Sequence, residues 1–160
     1  MDAKDDIKYM EMALREAQKA ADDGEVPTGC VIVDAGGRIL GRAHNQTEGL
    51  VDATAHAEML AITQAAAEAG DWRLTDCALY VTKEPCPMCG GAIVLGRLAL
   101  VAWAASDPKR GAHTVFGTFA HPGLNHRPAT LFPVGGPEVL AELQGFFRDL
   151  RRAKQEPDSE

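Results

Sequence analysis

The sequence predicts one α/β domain of three layers, with helices packed on both faces of a central sheet. Three observations lead there. Helix-period segments alternate with short strand-like runs, the pattern of a layered α/β structure. The 160 residues amount to one ordinary hydrophobic core. No internal repeat, low-complexity linker or shift in composition marks a second unit, so the domain is read as residues 1–154 with a disordered polar tail over 155–160.

The elements follow in order. Ile7, Met10, Leu14, Ala17 and Ala21 recur at steps of three and four, giving a first helix that Gly24 stops. A β-branched run over 26–33, the turn Asp34-Ala35-Gly36-Gly37 and a strand over 38–43 make a hairpin. After a polar loop, Thr54 stands where an N-cap belongs, ahead of an alanine-rich helix over 55–69 that Gly70 closes. Residues 77–82 read as a buried strand, and Cys30 and Cys77 serve in their strands as small hydrophobes. Pro85 and Pro87 open a short helix reaching about Leu95, and 98–104 is the next strand. Residues 106–136 are loop-rich, with little periodicity. Leu140, Leu143, Phe146, Phe147 and Leu150 mark a last helix from about Pro137 into Arg151 and Arg152.

Composition excludes several classes. Hydrophobic residues at 46% and charged residues at 24% are globular averages, unlike a disordered tail, a collagen-like fibre or a coiled coil. The longest apolar run, over 99–105, is far too short to cross a bilayer, and no basic-then-apolar leader opens the chain. No membrane role is expected. Four cysteines without an export signal read as thiols or metal ligands in a reducing cytoplasm. With 16 basic and 23 acidic residues the net charge is −7, so any contact with phosphates must rest on a local patch. An aromatic content of 6% argues against a stacking platform spread over the surface.

Two short motifs carry chemistry, His56-Ala57-Glu58 and Pro85-Cys86-Pro87-Met88-Cys89. Cysteines three apart at the mouth of a helix bring two sulfurs to one ion, and the helix amides favour the thiolate. His56, from another helix start, makes a third ligand. Three protein ligands and a water are the pattern of a catalytic zinc, whose water ionises near neutral pH. Glu58, in the irregular first turn of its helix, can lean over that water and shuttle its proton. Two other readings stay open at this level: a Cys-x-x-Cys redox pair, and a structural zinc completed by Cys30, Cys77, His44, His113, His121 or His126. Met88 reads as core. Jointly, H-x-E and P-C-x-x-C form the signature of zinc deaminases that attack C4 of cytosine or C6 of adenine.

Over about residues 5–154 the chain resembles the bacterial tRNA-specific adenosine deaminases of the cytidine/deoxycytidylate deaminase superfamily. Residues 52–58 and 84–89 resemble the wider family, guanine and cytosine deaminases included. Three later stretches, 107–112, 121–127 and 146–148, match the tRNA enzymes in order and approximate spacing. The chain departs from them at Asn45-Gln46-Thr47, where they carry Asn-Arg-Pro or similar. It departs again at Ala112-His113-Thr114-Val115, where they have Ala-x-Gly-Ser. Gln46-Thr47 is closer to guanine-deaminase usage.

The resemblance implies a cytidine-deaminase-like fold with a mixed sheet, one Zn²⁺ per chain on His56, Cys86 and Cys89, and Glu58 as the catalytic proton carrier. It implies a homodimer in the cytoplasm that converts the wobble adenosine of a tRNA anticodon loop to inosine. Substrate contacts then fall to Asn45, Ala57, Asp107, Lys109, Arg127, Phe147 and Arg148, with Asp107 accepting from a ribose 2′-hydroxyl. Charge agrees: Arg97, Lys109, Arg110 and Arg127 are opposed over 97–127 by Asp107 alone, and four basic residues over 148–154 by Asp149 alone. Two alternatives are carried forward. One is a free-base deaminase acting on guanine or cytosine; the other is a non-catalytic zinc-bearing RNA-binding subunit, which has no need of Glu58.

Overall fold

A computed structural model describes residues 2–155 of the chain. Apart from Gln155, the tail expected over 155–160 lies outside the described residues. Helix α1 (Ala3–Asp22) precedes the hairpin β1 (Gly29–Val33) and β2 (Ile39–His44). Then come α2 (Ala57–Ala69), β3 (Ala78–Lys83), α3 (Pro87–Leu95) and β4 (Leu100–Ala105). A 3-10 turn (Thr118–Ala120), β5 (Ala129–Leu131) and α4 (Gly136–Gln155) complete the order.

The five strands lie in the order β2-β1-β3-β4-β5. β1 runs antiparallel to both neighbours, while β3, β4 and β5 are parallel, so the sheet is mixed as expected. Strand side chains alternate between two cores. Cys30, Ile32, Leu79, Val81, Val101 and Trp103 pack toward α2 and α3. Val31, Val33, Ala78, Tyr80, Ala102 and Ala104 pack toward α1 and α4. Both faces are buried, which is why these strands read as unbroken apolar runs. The helices sit very close to the sheet. A Cβ on Gly29 would strike the Ala13 carbonyl oxygen of α1, and one on Gly41 the Ala61 carbonyl oxygen of α2.

The structure corrects several local expectations. β1 begins at Gly29 rather than 26, because Val26 is exposed and its carbonyl closes a turn onto the Thr28 amide at 2.8 Å. Thr54 is not the cap of α2. Asp52 Oδ1 takes both its amide and its hydroxyl at 2.8 Å, and the helix starts two residues beyond the expected point, with His56 as N-cap. Cys77 precedes β3, although it is buried as expected. Within 106–136 the three-residue β5 went unforeseen: an edge strand with two exposed residues carries no apolar alternation.

Because β1 is antiparallel to both neighbours, β2, β3 and β4 all end on one edge of the sheet. That edge carries His44-Asn45, Lys83-Glu84 and Ala105-Ser106-Asp107, the usual place for a site in an α/β sheet. No helix among the described residues is long and apolar enough to cross a membrane.

Candidate metal centre

Two helices begin at that edge, and their caps supply ligands. His56 is the N-cap of α2 and Cys86 of α3, and neither side chain makes a capping hydrogen bond, so imidazole and thiol can face each other. Pro87 suits the first turn of α3, where its missing N–H would have no helical partner anyway. Cys89, three residues on, is fully buried beneath. His56 Nδ1 lies 3.6 Å from Cys86 Sγ and 3.5 Å from Cys89 Sγ, and all three ligand atoms fall within 4.8 Å of one another.

These distances test the fit to zinc. With Zn–S near 2.3 Å and Zn–N of about 2.0–2.1 Å, a tetrahedral ion holds sulfur and nitrogen about 3.6 Å apart. The cluster therefore matches one zinc as it stands. Two sulfurs and an imidazole are a donor set for zinc rather than for calcium or magnesium. Among the described residues no fourth His, Cys, Asp or Glu joins the group, so none of Cys30, Cys77, His44, His113, His121 and His126 completes a structural site.

The electrostatics prepare the ligands. A hydrogen bond from the Cys89 thiol, aided by His56, pulls Cys86 down to about 4 against the effect of burial. Cys89 is pushed up by that same hydrogen bond and by its own burial, so the two sulfurs hold one proton between them. A divalent cation taken by the three donors displaces that proton. His56 is raised by its hydrogen bond to Cys86, which outweighs burial. Glu58 is 3% exposed, and burial pushes its carboxyl up.

A cavity of about 300 Å³ opens over the cluster, bordered by Asn45, His56, Glu58, Lys83, Cys86 and Asp107 among others. Of the candidate site residues read from sequence, His56, Glu58, Cys86, Asn45 and Asp107 line it. Ala57 is buried between His56 and Glu58 at the start of α2. Asn45 is buried too, its amide Nδ2 donating to Thr47 Oγ1 at 3.3 Å.

Lys109 stands on an exposed turn whose amides, with that of Arg110, donate to Asp107 Oδ1 at 2.9 and 3.0 Å. Phe147 and Arg148 border a second cavity of about 680 Å³ that shares Lys83 with the first. Lys83 Nζ sits 5.2 Å over the Phe147 ring and 3.4 Å from Asp107 Oδ2. Arg127 borders neither cavity; it donates to the carbonyls of His121 at 3.1 Å and Pro122 at 3.3 Å.

Comparison with known proteins bears directly on this site. Residues 3–105 match the cytidine and deoxycytidylate deaminase zinc-binding region. The tRNA-specific adenosine deaminase of Bacillus subtilis (strain 168) is 44% identical over 151 residues, covering 94% of this chain and 93% of its own. The chain belongs to the tRNA-specific adenosine deaminase family. A solved structure from work on A-to-I editing by tRNA:A34 deaminases is 42% identical to this deaminase at a TM-score of 0.73, covering 78% of this chain and 95% of its own. Guanine deaminase from Bacillus subtilis shares the fold at 28% identity and a TM-score of 0.60, over 96% of both chains.

Several residues of the deaminase at this cavity escaped the sequence reading. Lys83, Glu84, Glu25 and Lys154 all border it. Glu84 had a signal, as the acid directly before the Pro-Cys pair. Lys154 was legible only as one charge of the basic cluster over 148–154, since only folding brings the last turn of α4 to the zinc edge. Glu25 is 3% exposed and holds the loop after Asn45, accepting the Glu48 amide at 3.1 Å and the Gly49 amide at 2.7 Å.

Proposed function

We propose that this protein is a zinc-dependent hydrolase that converts adenosine to inosine at the wobble position of tRNA, with residues 1–154 as the working domain. The observation that carries the chemistry is Glu58, buried in the same cavity as a three-ligand cluster that matches zinc. The choice of substrate is supported by the tRNA-specific relatives.

The reaction consumes water, forms a C6–O bond, breaks the C6–N bond and releases ammonia. Zinc on His56, Cys86 and Cys89 supplies the Lewis acidity that makes water a nucleophile at neutral pH. Glu58 takes the proton from the attacking water on a carboxylate oxygen and returns one to the departing amine. Its raised affinity for a proton, from burial, suits both directions. Asn45 can offer both a donor and an acceptor to the purine edge.

Asp107 stays ionised: hydrogen bonds from the Lys109 and Arg110 amides and from Lys83 outweigh the effect of burial. It can therefore only accept, which suits a ribose 2′-hydroxyl. Lys109, Arg127 and Arg148 take phosphates, with Phe147 as the apolar platform beside them. A homodimer is supported by exposed Trp72 and Leu95, which border one surface depression with Ile62. A monomer mass by light scattering at micromolar concentration overturns it. The compartment proposed for an enzyme with a tRNA substrate is the cytoplasm.

The deciding experiment incubates the zinc-loaded protein with a synthetic anticodon stem-loop carrying adenosine at the wobble position and, separately, with free guanine and free cytosine. Inosine in the RNA is expected. Xanthine or uracil with no inosine replaces the reading with a free-base deaminase, and no product with zinc bound indicates a binding subunit.

A further inference from the structure

Glu84 is 4% exposed, and among the described residues no Lys, Arg or His comes within ion-pair range of it. Its carboxylate is satisfied by neutral donors, all from one short segment. Oε1 accepts the Asp107 amide at 3.0 Å and the Thr114 hydroxyl at 2.5 Å. Oε2 accepts the His113 amide at 3.0 Å and the Thr114 amide at 2.8 Å. The flanking backbone is tied as well: Glu84 N–H donates to the Ala105 carbonyl, and Ala112 N–H to the Pro85 carbonyl, each at 2.8 Å. The approach is close enough that a Cβ on Gly111 would overlap Glu84 Oε2. Taking a carboxylate out of water without a counter-charge is costly, so stability alone gives little reason to place one there.

The placement of those donors gives a better reason. They bracket the turn 107–111, which carries Asp107, Lys109 and Arg110, and Glu84 itself is two residues from the ligand Cys86. We propose that Glu84 is a positioning residue: it sets the basic turn 107–111 at a fixed offset from the metal centre, so that Lys109 and Arg110 meet RNA phosphates while the adenosine occupies the cavity. The inference rests on the tRNA reading above. Glu84 touches neither the reacting atoms nor the metal; it acts through the turn.

Glu84→Gln tests this with a nearly isosteric side chain. Its one oxygen can keep the His113 and Thr114 amides, and its NH₂ can turn to the Thr114 hydroxyl. That leaves an N–H facing the Asp107 amide, a donor against a donor. The turn should loosen at its Asp107 end. Expected are a rise of about tenfold in KM and Kd for the stem-loop, a kcat within about threefold, and unchanged zinc content. Amide hydrogen exchange should speed up at Asp107 and over 109–111.

Gly111→Ala pushes the turn off the carboxylate without altering Glu84 and should raise KM similarly. Thr114→Val, which removes one donor, should do so by about twofold to threefold. These two carry the test if Glu84→Gln does not fold. Because a Cβ on Gly111 presses on the Glu84 carboxylate and also on the Asp107 carbonyl within the same turn, the combination of the two main variants should lose less than the sum of the single losses. Wild-type KM and exchange in Glu84→Gln, additive losses in the double variant, or loss of zinc and kcat together would each overturn the proposal. If the wild-type protein makes no inosine, the tRNA reading fails by itself. Exchange rates and stem-loop Kd, which need no turnover, then still decide the role of Glu84.

Discussion

Glu58→Gln separates the roles of the carboxyl most cleanly. Gln has nearly the same shape, so the substitution leaves no cavity beside His56 and Cys86. It also removes a charge from a residue only 3% exposed, whose charged form burial already disfavours. Fold and zinc content should therefore be retained, with a thermal midpoint within a few degrees of wild type. The rate is another matter. A positioned acid–base group is worth about 10² to 10⁴ in rate, or about 2.7 to 5.4 kcal/mol in the barrier. The upper half of that range is expected here, because one carboxyl serves both proton transfers and its burial keeps bulk water from replacing it. The assay measures inosine formed from a wobble-adenosine stem-loop, with elemental analysis of the same sample. Turnover within tenfold of wild type, with one zinc per chain, would refute the proton-carrier role.

Three further outcomes are expected. Cys89→Ser should lose most of its zinc by elemental analysis, since a serine hydroxyl is a poor substitute for a thiolate; full occupancy would sink the ligand assignment. Lys109→Ala with Arg127→Ala and Arg148→Ala should weaken stem-loop binding and flatten its salt dependence by about one unit of slope, or slightly less, per lost phosphate contact. An unchanged affinity and slope would favour a free-base substrate. Glu16 links acid stability to the fold on the α1 side. Burial pushes its carboxyl up, but hydrogen bonds from Lys19, Arg42 and His44 outweigh this and hold it below its ordinary value. A lowered folded pKa contributes stability above the unfolded value and loses it as pH falls through the folded one. Glu16→Gln should therefore be less stable than wild type at pH 7, and the two should converge in urea melts once the pH has fallen below the lowered pKa of folded Glu16. A gap that persists there would show that the charge is not the source.

How much of this was legible without coordinates depends on how local each feature is. The period of α1, the hairpin and the strand before Pro85 depend on neighbours a few residues apart, and they stood close to where expected, with β1 starting three residues late and β3 one. So did the pairing of Cys86 with Cys89, because three residues at a helix start set the separation of two sulfurs whatever surrounds them. The start of α2 was missed by two residues, because Asp52 competes for Thr54 and nothing in a capping preference weighs that competition. β5 was missed because an exposed edge strand is held by its ladder to β4 rather than by a pattern of its own.

By itself, then, the chain determined which groups could bind a metal and move a proton, since those are properties of side chains and short spacings. Tertiary structure decided which of them meet. One antiparallel strand between two others sends β2, β3 and β4 to a common edge, and this brings His56 within 3.6 Å of a sulfur 30 residues away. The same edge places the last turn of α4 beside the cavity and seats the 107–114 loop on Glu84. Such contacts join residues far apart in the chain, and only the closing of the sheet and its two cores repays the entropy of bringing them together.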